Sequence, residues 1–448
     1  MKKKINQTAL IIGAGLSGIS AANLLMAKGY KIWISDSKDK IKLPNKIAKY
    51  LINEKEASKK MKEIVLAVKS PGISPNHFLI KKLKEAKIPV YSEIDLSLMF
   101  SKAKRYIMIT GTNGKTTTTT LTYLIMKNFL KQKNARAIVC GNIGKPVSKQ
   151  ILNAKENDWL IMEASSYQLE DSKFIKPAIS AILNITPDHI EHHGNMEKYI
   201  EAKMNIFKNQ DKNDFCIMNY EDKILRKISK NCGSNILWFS SKERKGINAY
   251  FKKGKIVINL DKKNYEINPP DIPGLHNIEN VMASCLCSIK AGCDLKTLQY
   301  TLDKFNGIEH RIEFVRKIKG ISYINDSKAT NVDSTFIALK ALGKKKNILL
   351  IMGGLGKGTP YSPLTELIKK YVKAIYLIGK DADNIEKQLK GICPMYRTEN
   401  IKKTVNMINE TGEEGDIALL SPACASYDQF KNFEDRGKKF KKIVNALK

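Results

Sequence analysis

The chain has 448 residues, 43% hydrophobic and 27% charged, a globular balance that excludes a largely disordered protein. At roughly 150 residues per domain this length suggests about three domains. Its formal charge of +33 rests on 77 basic residues, only eight of them Arg, so that 69 Lys are spread along the whole sequence. Base readout and bidentate phosphate clamps favour Arg, so the lysines read as solvated surface and no specific nucleic-acid partner is expected.

The eight cysteines form no C-x-x-C pair and no zinc-like spacing with His, which suits reduced, mostly buried thiols. Met1 and three lysines precede an uncharged stretch, 5–27, that imitates a leader. Gly13, Gly15, Gly18, Asn6 and Asn23 make it a poor membrane segment, and no other stretch approaches spanning length. A cytoplasmic chain without membrane insertion is expected.

Short β-branched runs alternate with helical patterns, the mark of α/β architecture with parallel sheets. The first strand, 8–12, runs into Gly13-x-Gly15-x-x-Gly18 and a helix to about Lys28. A second strand, 31–35, delivers Asp36, so the unit carries the dinucleotide fingerprint: a tight turn, a close backbone approach and a carboxylate near a ribose. The motif alone leaves the nucleotide open, and a tight βα turn that binds nothing is the alternative.

A polar linker at 101–105 precedes the strand Tyr106–Ile109, which enters Gly111, Thr112, Asn113, Gly114, Lys115, Thr116 and a Thr-rich helix beginning with Thr117. The long Walker pattern fails because Ile109 stands where its first Gly belongs. The shorter Gly-x-x-Gly-Lys-Thr keeps the physics: loop amides face phosphate oxygens, Lys115 reaches the terminal phosphates and the Thr116 hydroxyl suits Mg²⁺. ATP or GTP binding is expected. A buried strand from Asp158 ends on Glu163, a candidate Mg²⁺ ligand or a helix N-terminal carboxylate. The strand 179–185 exits into Asp188-His189, where His189 suits a second metal or the reacting phosphate; His192 and His193 read as surface residues. Lys203 lies in a helical pattern, where a lysine is ordinarily solvated.

Asn277, Arg311, Asp326, Lys328 and Thr330 follow in polar clusters, the last three after the strand 321–324; a nucleotide or anion site and a plain polar turn both fit. The strand 347–352 opens into Gly353–Gly358 with Lys357, an anion cradle or a bare turn. The strand 417–420 leads to Cys424, Ser426, Tyr427, Phe433 and Arg436; Cys424 reads as a small buried thiol. An Asn-Gly turn marks a second boundary near 306–310. Three domains are expected: 1–103 Rossmann-like, 104–307 a central P-loop ATPase-type parallel sheet, and 308–448 Rossmann-like.

Together, Gly111–Thr116, Glu163-Ala-Ser-Ser-Tyr-Gln, Asp188-His189, His276-Asn277-x-x-Asn280, His310-Arg311 and Asn325–Asn331 appear in an order that resembles the Mur ligases, ATP-dependent amide ligases of peptidoglycan precursor synthesis. The N-terminal Gly-x-Gly-Leu-Ser-Gly turn and the segment 421–437 look most like the members that join D-glutamate to UDP-N-acetylmuramoyl-L-alanine. The resemblance implies that the first domain binds the UDP-sugar through Leu16, Ser17, Asp36, Ser37, Ser70 and Gly72, with Asn142 near the muramoyl part. It implies two Mg²⁺, one with Thr116 and Glu163, the other with His189 and a carbamylated Lys203. Asn277, Arg311, Asp326 and Lys328 would bracket ATP beside the 111–117 loop. Lys328, Thr330, Lys357, Ser426, Tyr427 and Phe433 would line the D-glutamate pocket, and a monomer is expected. Folylpolyglutamate synthase shares the P-loop but lacks the Rossmann-like start; an NAD oxidoreductase leaves the P-loop unexplained, and a nucleic-acid-stimulated ATPase would need an Asp-Glu metal strand.

Overall fold

The computed structural model describes residues 7–37, 41, 43–356 and 358–447. They form three sheets in two compact units: residues 1–270 with 278–304, and residues 271–277 with 305–448.

The first unit carries two sheets. One has five parallel strands in the order Leu51–Ile52, Lys31–Ser35, Thr8–Ile12, Ile64–Lys69, Val90–Ser92. Its central strand Thr8–Ile12 is buried throughout, as a strand covered on both faces must be. The other sheet has nine strands, with Arg105–Thr110 between Trp159–Glu163 and Ile179–Ile182. These and their neighbours are parallel; only the pairings of Lys255–Leu260 with Ala249–Lys252 and Lys263–Ile267 are antiparallel. One apolar core runs from Ala9 and Leu25 through Met108 and Leu160 to Cys216, serving both sheets. Ser101 and Ala103 in the polar linker are themselves buried, and the Ser101 hydroxyl donates to the Ala103 carbonyl at 2.8 Å.

The second unit holds six strands in the order Glu313–Ile318, Ile321–Asn325, Ile417–Leu420, Ile348–Gly353, Val372–Ile378, Met395–Glu399, parallel except for the first pair. Placing Ile417–Leu420 between strands that come much earlier in the chain brings three stretches to one sheet edge: 326–331, 354–356 and 421–428. Asn325 and Ile351 both lie beside Leu420 in the ladder, so the loops leave at one level. Crevices outside the carboxyl ends of parallel strands are where such sheets take ligands.

Among the described residues no helix is long and apolar enough to cross a membrane. The eight cysteines are unpaired thiols, six of them buried.

Candidate active site

The ladder register of the nine-stranded sheet assembles the first cluster. Glu163 pairs with Gly141 on one side and Ile109 on the other, and Thr110 pairs with Ile182. The loops after four strands therefore open at one mouth. Among them, Gly111–Gly114 lead into the helix Lys115–Lys131, whose N-terminal amides form an anion-binding end. Lys115 Nζ folds back to donate to the Gly111 and Thr112 carbonyls at 2.9 and 2.7 Å.

Side chains from elsewhere fix the loop. Asn184 Oδ1 accepts from the Asn113 amide at 2.8 Å while its Nδ2 donates to the Asn113 carbonyl at 3.1 Å. Thr112 Oγ1 lies 2.9 Å from the Tyr199 hydroxyl and donates to the Thr186 carbonyl at 3.0 Å. The strand expected over 179–185 stops at Ile182, because Asn184 turns out of the sheet to make this clamp. Nothing in sequence spacing singles out Asn184 or Tyr199; they act across 71 and 87 residues.

Glu163 is 2% exposed. Its Oε1 accepts from Asn142 Nδ2 at 2.7 Å, whereas its Oε2 is buried with no hydrogen-bond partner. A buried carboxylate oxygen without a donor is costly unless a cation completes it, so the residue fits a metal. Thr116 stands in the first turn of the following helix and Thr117 is buried behind it. His189 adopts a left-handed conformation (φ 54°) and places Nδ1 3.3 Å from the Tyr167 hydroxyl and Nε2 3.5 Å from Asp188 Oδ2.

Lys203 departs from the ordinary expectation for a helical lysine: it is 1% exposed in the helix Met196–Met204. Its Nζ donates to the Gly111 carbonyl at 3.0 Å and lies 4.7 Å from the Tyr199 ring centroid. Burial, reinforced by the Lys115 charge and only partly offset by Asp188, pushes this amine well below its usual range. A neutral, nucleophilic amine is the form that takes up CO₂.

His193 also corrects the surface reading, while His192 is half-buried. His193 is 3% exposed, its Nε2 lies 3.0 Å from Ser166 Oγ, and both histidines face Glu170. The adjoining aromatic ring of Tyr167 shields them from water.

In the five-stranded sheet Gly13–Gly15 turn into the helix Leu16–Ala27. A Cβ on Gly18 would sit 1.9 Å from the Gly13 carbonyl oxygen, so only glycine lets the helix pack on the turn. Asp36 Oδ2 accepts from the Ala14 amide at 2.7 Å and Ser70 Oγ donates to the Gly13 carbonyl at 2.9 Å. Leu16 is 80% exposed; Ser37 and Gly72 are exposed and Ser17 half-buried, leaving the turn accessible, while Asn142, after a strand of the nine-stranded sheet, is exposed beside Glu163.

The second unit gathers another cluster. Asp326 is fully buried; its Oδ1 accepts from the Ile312 amide at 3.2 Å and its Oδ2 from Ser421 Oγ at 2.8 Å. Burial raises its carboxyl to about 6, against the pull of Arg311 and those hydrogen bonds. Lys328 Nζ lies 5.6 Å from the Phe433 ring centroid, and the Thr330 amide donates to the Lys328 carbonyl at 2.9 Å. Asn277 Nδ2 donates to the Pro273 carbonyl at 2.6 Å. Ser426 is buried and Tyr427 71% exposed. Lys357 lies outside the described residues; Leu355 and Ala425 exchange backbone hydrogen bonds of 2.8 and 3.0 Å.

Arg436 fastens this cluster, which sequence reasoning missed because the residue sits in an ordinary amphipathic helix, Phe433–Asn445. It is 1% exposed and donates to Ser327 Oγ and O at 2.9 and 2.8 Å and to the Cys424 carbonyl at 3.1 and 3.2 Å. Burial lowers it only to about 10, so the guanidinium stays charged at neutral pH. Cys424 is fully buried and 2.9 Å from the Tyr361 hydroxyl, in accord with a structural thiol.

A P-loop facing a metal-ready carboxylate, in a chain with a Rossmann-like start and a third α/β sheet, describes a nucleotide-using ligase scaffold. Comparison with known proteins gives the family. Residues 7–92 match the model for the Mur ligase MurD-like N-terminal domain, 109–288 the Mur ligase middle domain and 310–424 the Mur ligase glutamate ligase domain. The chain belongs to the Mur ligase family. It is 43% identical to a UDP-N-acetylmuramoylalanine--D-glutamate ligase of Elusimicrobium minutum and 40% identical to the protein of that name from Clostridioides difficile, each match covering 98% of both chains. Among solved structures it resembles the UDP-N-acetylmuramate-alanine ligase of Thermotoga maritima (TM-score 0.60, 17% identity, 99% of this chain and 100% of that one). It also resembles a Mur ligase from the same organism solved with ADP (TM-score 0.58, 16% identity, 99% and 96%).

Proposed function

We propose that the protein is an ATP-dependent ligase that joins D-glutamate to the L-alanine carboxylate of UDP-N-acetylmuramoyl-L-alanine. The observation that carries this reading is the meeting, at one sheet edge, of the Gly111–Thr116 loop, the half-satisfied Glu163 carboxylate and the buried Lys203 amine that donates to the Gly111 carbonyl. Full-length similarity to relatives named for D-glutamate addition supports the choice of substrates.

A carboxylate and an amine do not condense in water, so the carboxylate must first be activated. The γ-phosphoryl group passes from ATP to the alanine carboxylate; the bond from Pγ to the bridging oxygen breaks, one to a carboxylate oxygen forms, and ADP is left. The D-glutamate amine then attacks the acyl phosphate carbonyl, loses a proton to solvent and expels phosphate. Positioning and charge neutralisation do most of the work in such transfers. Lys115 and the loop amides hold the phosphates, Asn184 and Tyr199 keep the loop in shape, and Asn277, Arg311, Asp326 and Lys328 contribute to nucleotide binding. Thr116 and Glu163 would hold one Mg²⁺, His189 and Lys203 a second, with Lys203 carbamylated by CO₂ and releasing one proton. Bound there, the metal ions would supply positive charge to the phosphate oxygens. The UDP-sugar takes the Gly13–Gly18 turn with Asp36 and Ser70, and Lys328, Thr330, Lys357, Ser426, Tyr427 and Phe433 receive D-glutamate. The corresponding functional division is 1–103, 104–307 and 308–448.

The test is ADP release and product mass with UDP-N-acetylmuramoyl-L-alanine and a panel of amino acids. D-Glutamate alone is expected to give both. Ligation of lysine or diaminopimelate instead would overturn the substrate assignment, and no ADP with any amino acid would overturn the reaction.

A further inference from the structure

One cluster beside the mouth, half-buried except for the buried His193, has no part in this reaction. Glu170 ends the short helix Ser166–Glu170, and His192 and His193 lie in the helical turn Ile190–His193. Glu170 Oε2 is 3.0 Å from His192 Nε2, and Oε1 is 3.4 Å from His193 Nδ1. The His193 side chain is fully buried, and its Nδ1 has no hydrogen-bond partner although it points at the carboxylate. Its other nitrogen is engaged by Ser166 Oγ at 3.0 Å, the outer contact that fixes the ring of a metal-ligating histidine.

We propose that Glu170, His192 and His193 form a binding site for a divalent transition-metal ion of the Zn²⁺ class, separate from the Mg²⁺ ligands of the mouth. Two imidazoles and one carboxylate are a three-ligand set that leaves a coordination position for water. With metal–ligand bonds of about 2.0–2.2 Å, ligand atoms on a tetrahedral ion stand about 3.4 Å apart. Both Glu–His distances are already close to that separation, and all three ligand atoms lie within 4.8 Å of one another, so a small side-chain rotation closes the set. The ligand chemistry separates this ion from Mg²⁺, which prefers oxygen ligands and keeps its waters. Tyr167, with ring centroids 4.1 Å from His192 and 5.6 Å from His193, walls the site. A bound ion would pin the helix 166–170 to the turn that begins at His189, and so would hold that residue's backbone in place.

The experiment uses the full chain, stripped with chelator, without ATP and in saturating Mg²⁺, so that it stands apart from ligase activity. Co²⁺ is titrated and its visible d–d absorption followed. One saturable equivalent with the intense spectrum of a low-coordinate ion is expected, displaced by Zn²⁺. His192→Gln and Glu170→Gln should each weaken binding more than about tenfold, the least that even outer-contact losses cost at metal sites, while His189→Gln keeps the spectrum. Circular dichroism melting checks that each variant is folded, and either folded variant suffices. No saturable spectrum would mean that the three residues form only an ion pair, and would overturn the proposal. So would full binding in the Gln variants, or loss of the spectrum in His189→Gln, which would put the ion in the mouth.

Discussion

The P-loop mouth of the first unit and the loop cluster of the second are built by opposite means. In the first, the proposed phosphate-binding groups lie within a few residues of a strand end, and Lys115 Nζ reaches carbonyls only three and four residues away. In the second, the groups come from three distant loops, and a buried cation holds them. Arg436 spans 109 residues to Ser327 and 12 to Cys424. In the first, loss of the Lys115 side chain leaves the Asn184 and Tyr199 ties to the loop in place; in the second, one buried side chain joins two loops.

The largest contrast is expected between Lys115→Ala and Arg436→Ala. Lys115→Ala removes the charge proposed to meet the phosphates and should lower kcat on the order of 10³-fold with little change in melting temperature. Arg436→Ala leaves the buried Ser327 and Cys424 carbonyls without their donor, at a cost of about 3–5 kcal/mol, read by chemical denaturation. A variant that melts like the parent would break the contrast.

Asp326→Asn sharpens it through pH. The folded carboxyl titrates at about 6, above its usual 3.8, so between those values the native state holds a proton that the unfolded chain has released. Asp326 therefore favours the fold at the acid end, and its contribution falls as pH rises through about 4 to about 6, by about 3 kcal/mol over the window. The Asn variant should lose that slope in denaturation curves; an unchanged slope would mean that other groups produce it.

The smallest effect is expected where the second unit is local like the first. Asn331 Oδ1 accepts from the Ser334 amide at 2.9 Å and caps the helix Val332–Leu342. Asn331→Ala should cost about 1 kcal/mol, far below Arg436→Ala. Comparable losses in the two variants would remove the distinction between a local cap and a long-range tie.

What sequence made legible follows the same division. Gly13–Gly18, Gly111–Thr116 and Glu163 each sit at a strand end with their partners nearby, so spacing alone pointed to them. Burial was harder to read. Lys203 lies in a helix that looks half-solvated, and only the fold brings it under the Gly111 carbonyl. His193 reads as a surface residue until Ser166 and Tyr167 close over it. Asn184, Tyr199 and Arg436 act across 71 to 109 residues, and a single sequence carries no signal for such partners. The resemblance to a family supplied Lys203, yet said nothing of why its amine is pushed well below its usual range; the burial does.

The most direct test follows oxygen. With the alanine carboxylate of UDP-N-acetylmuramoyl-L-alanine labelled with ¹⁸O, ligation of D-glutamate through an acyl phosphate must carry one label from that carboxylate into the released phosphate. Labelled phosphate in step with product is the predicted result. Product formed with unlabelled phosphate would contradict activation at the P-loop mouth.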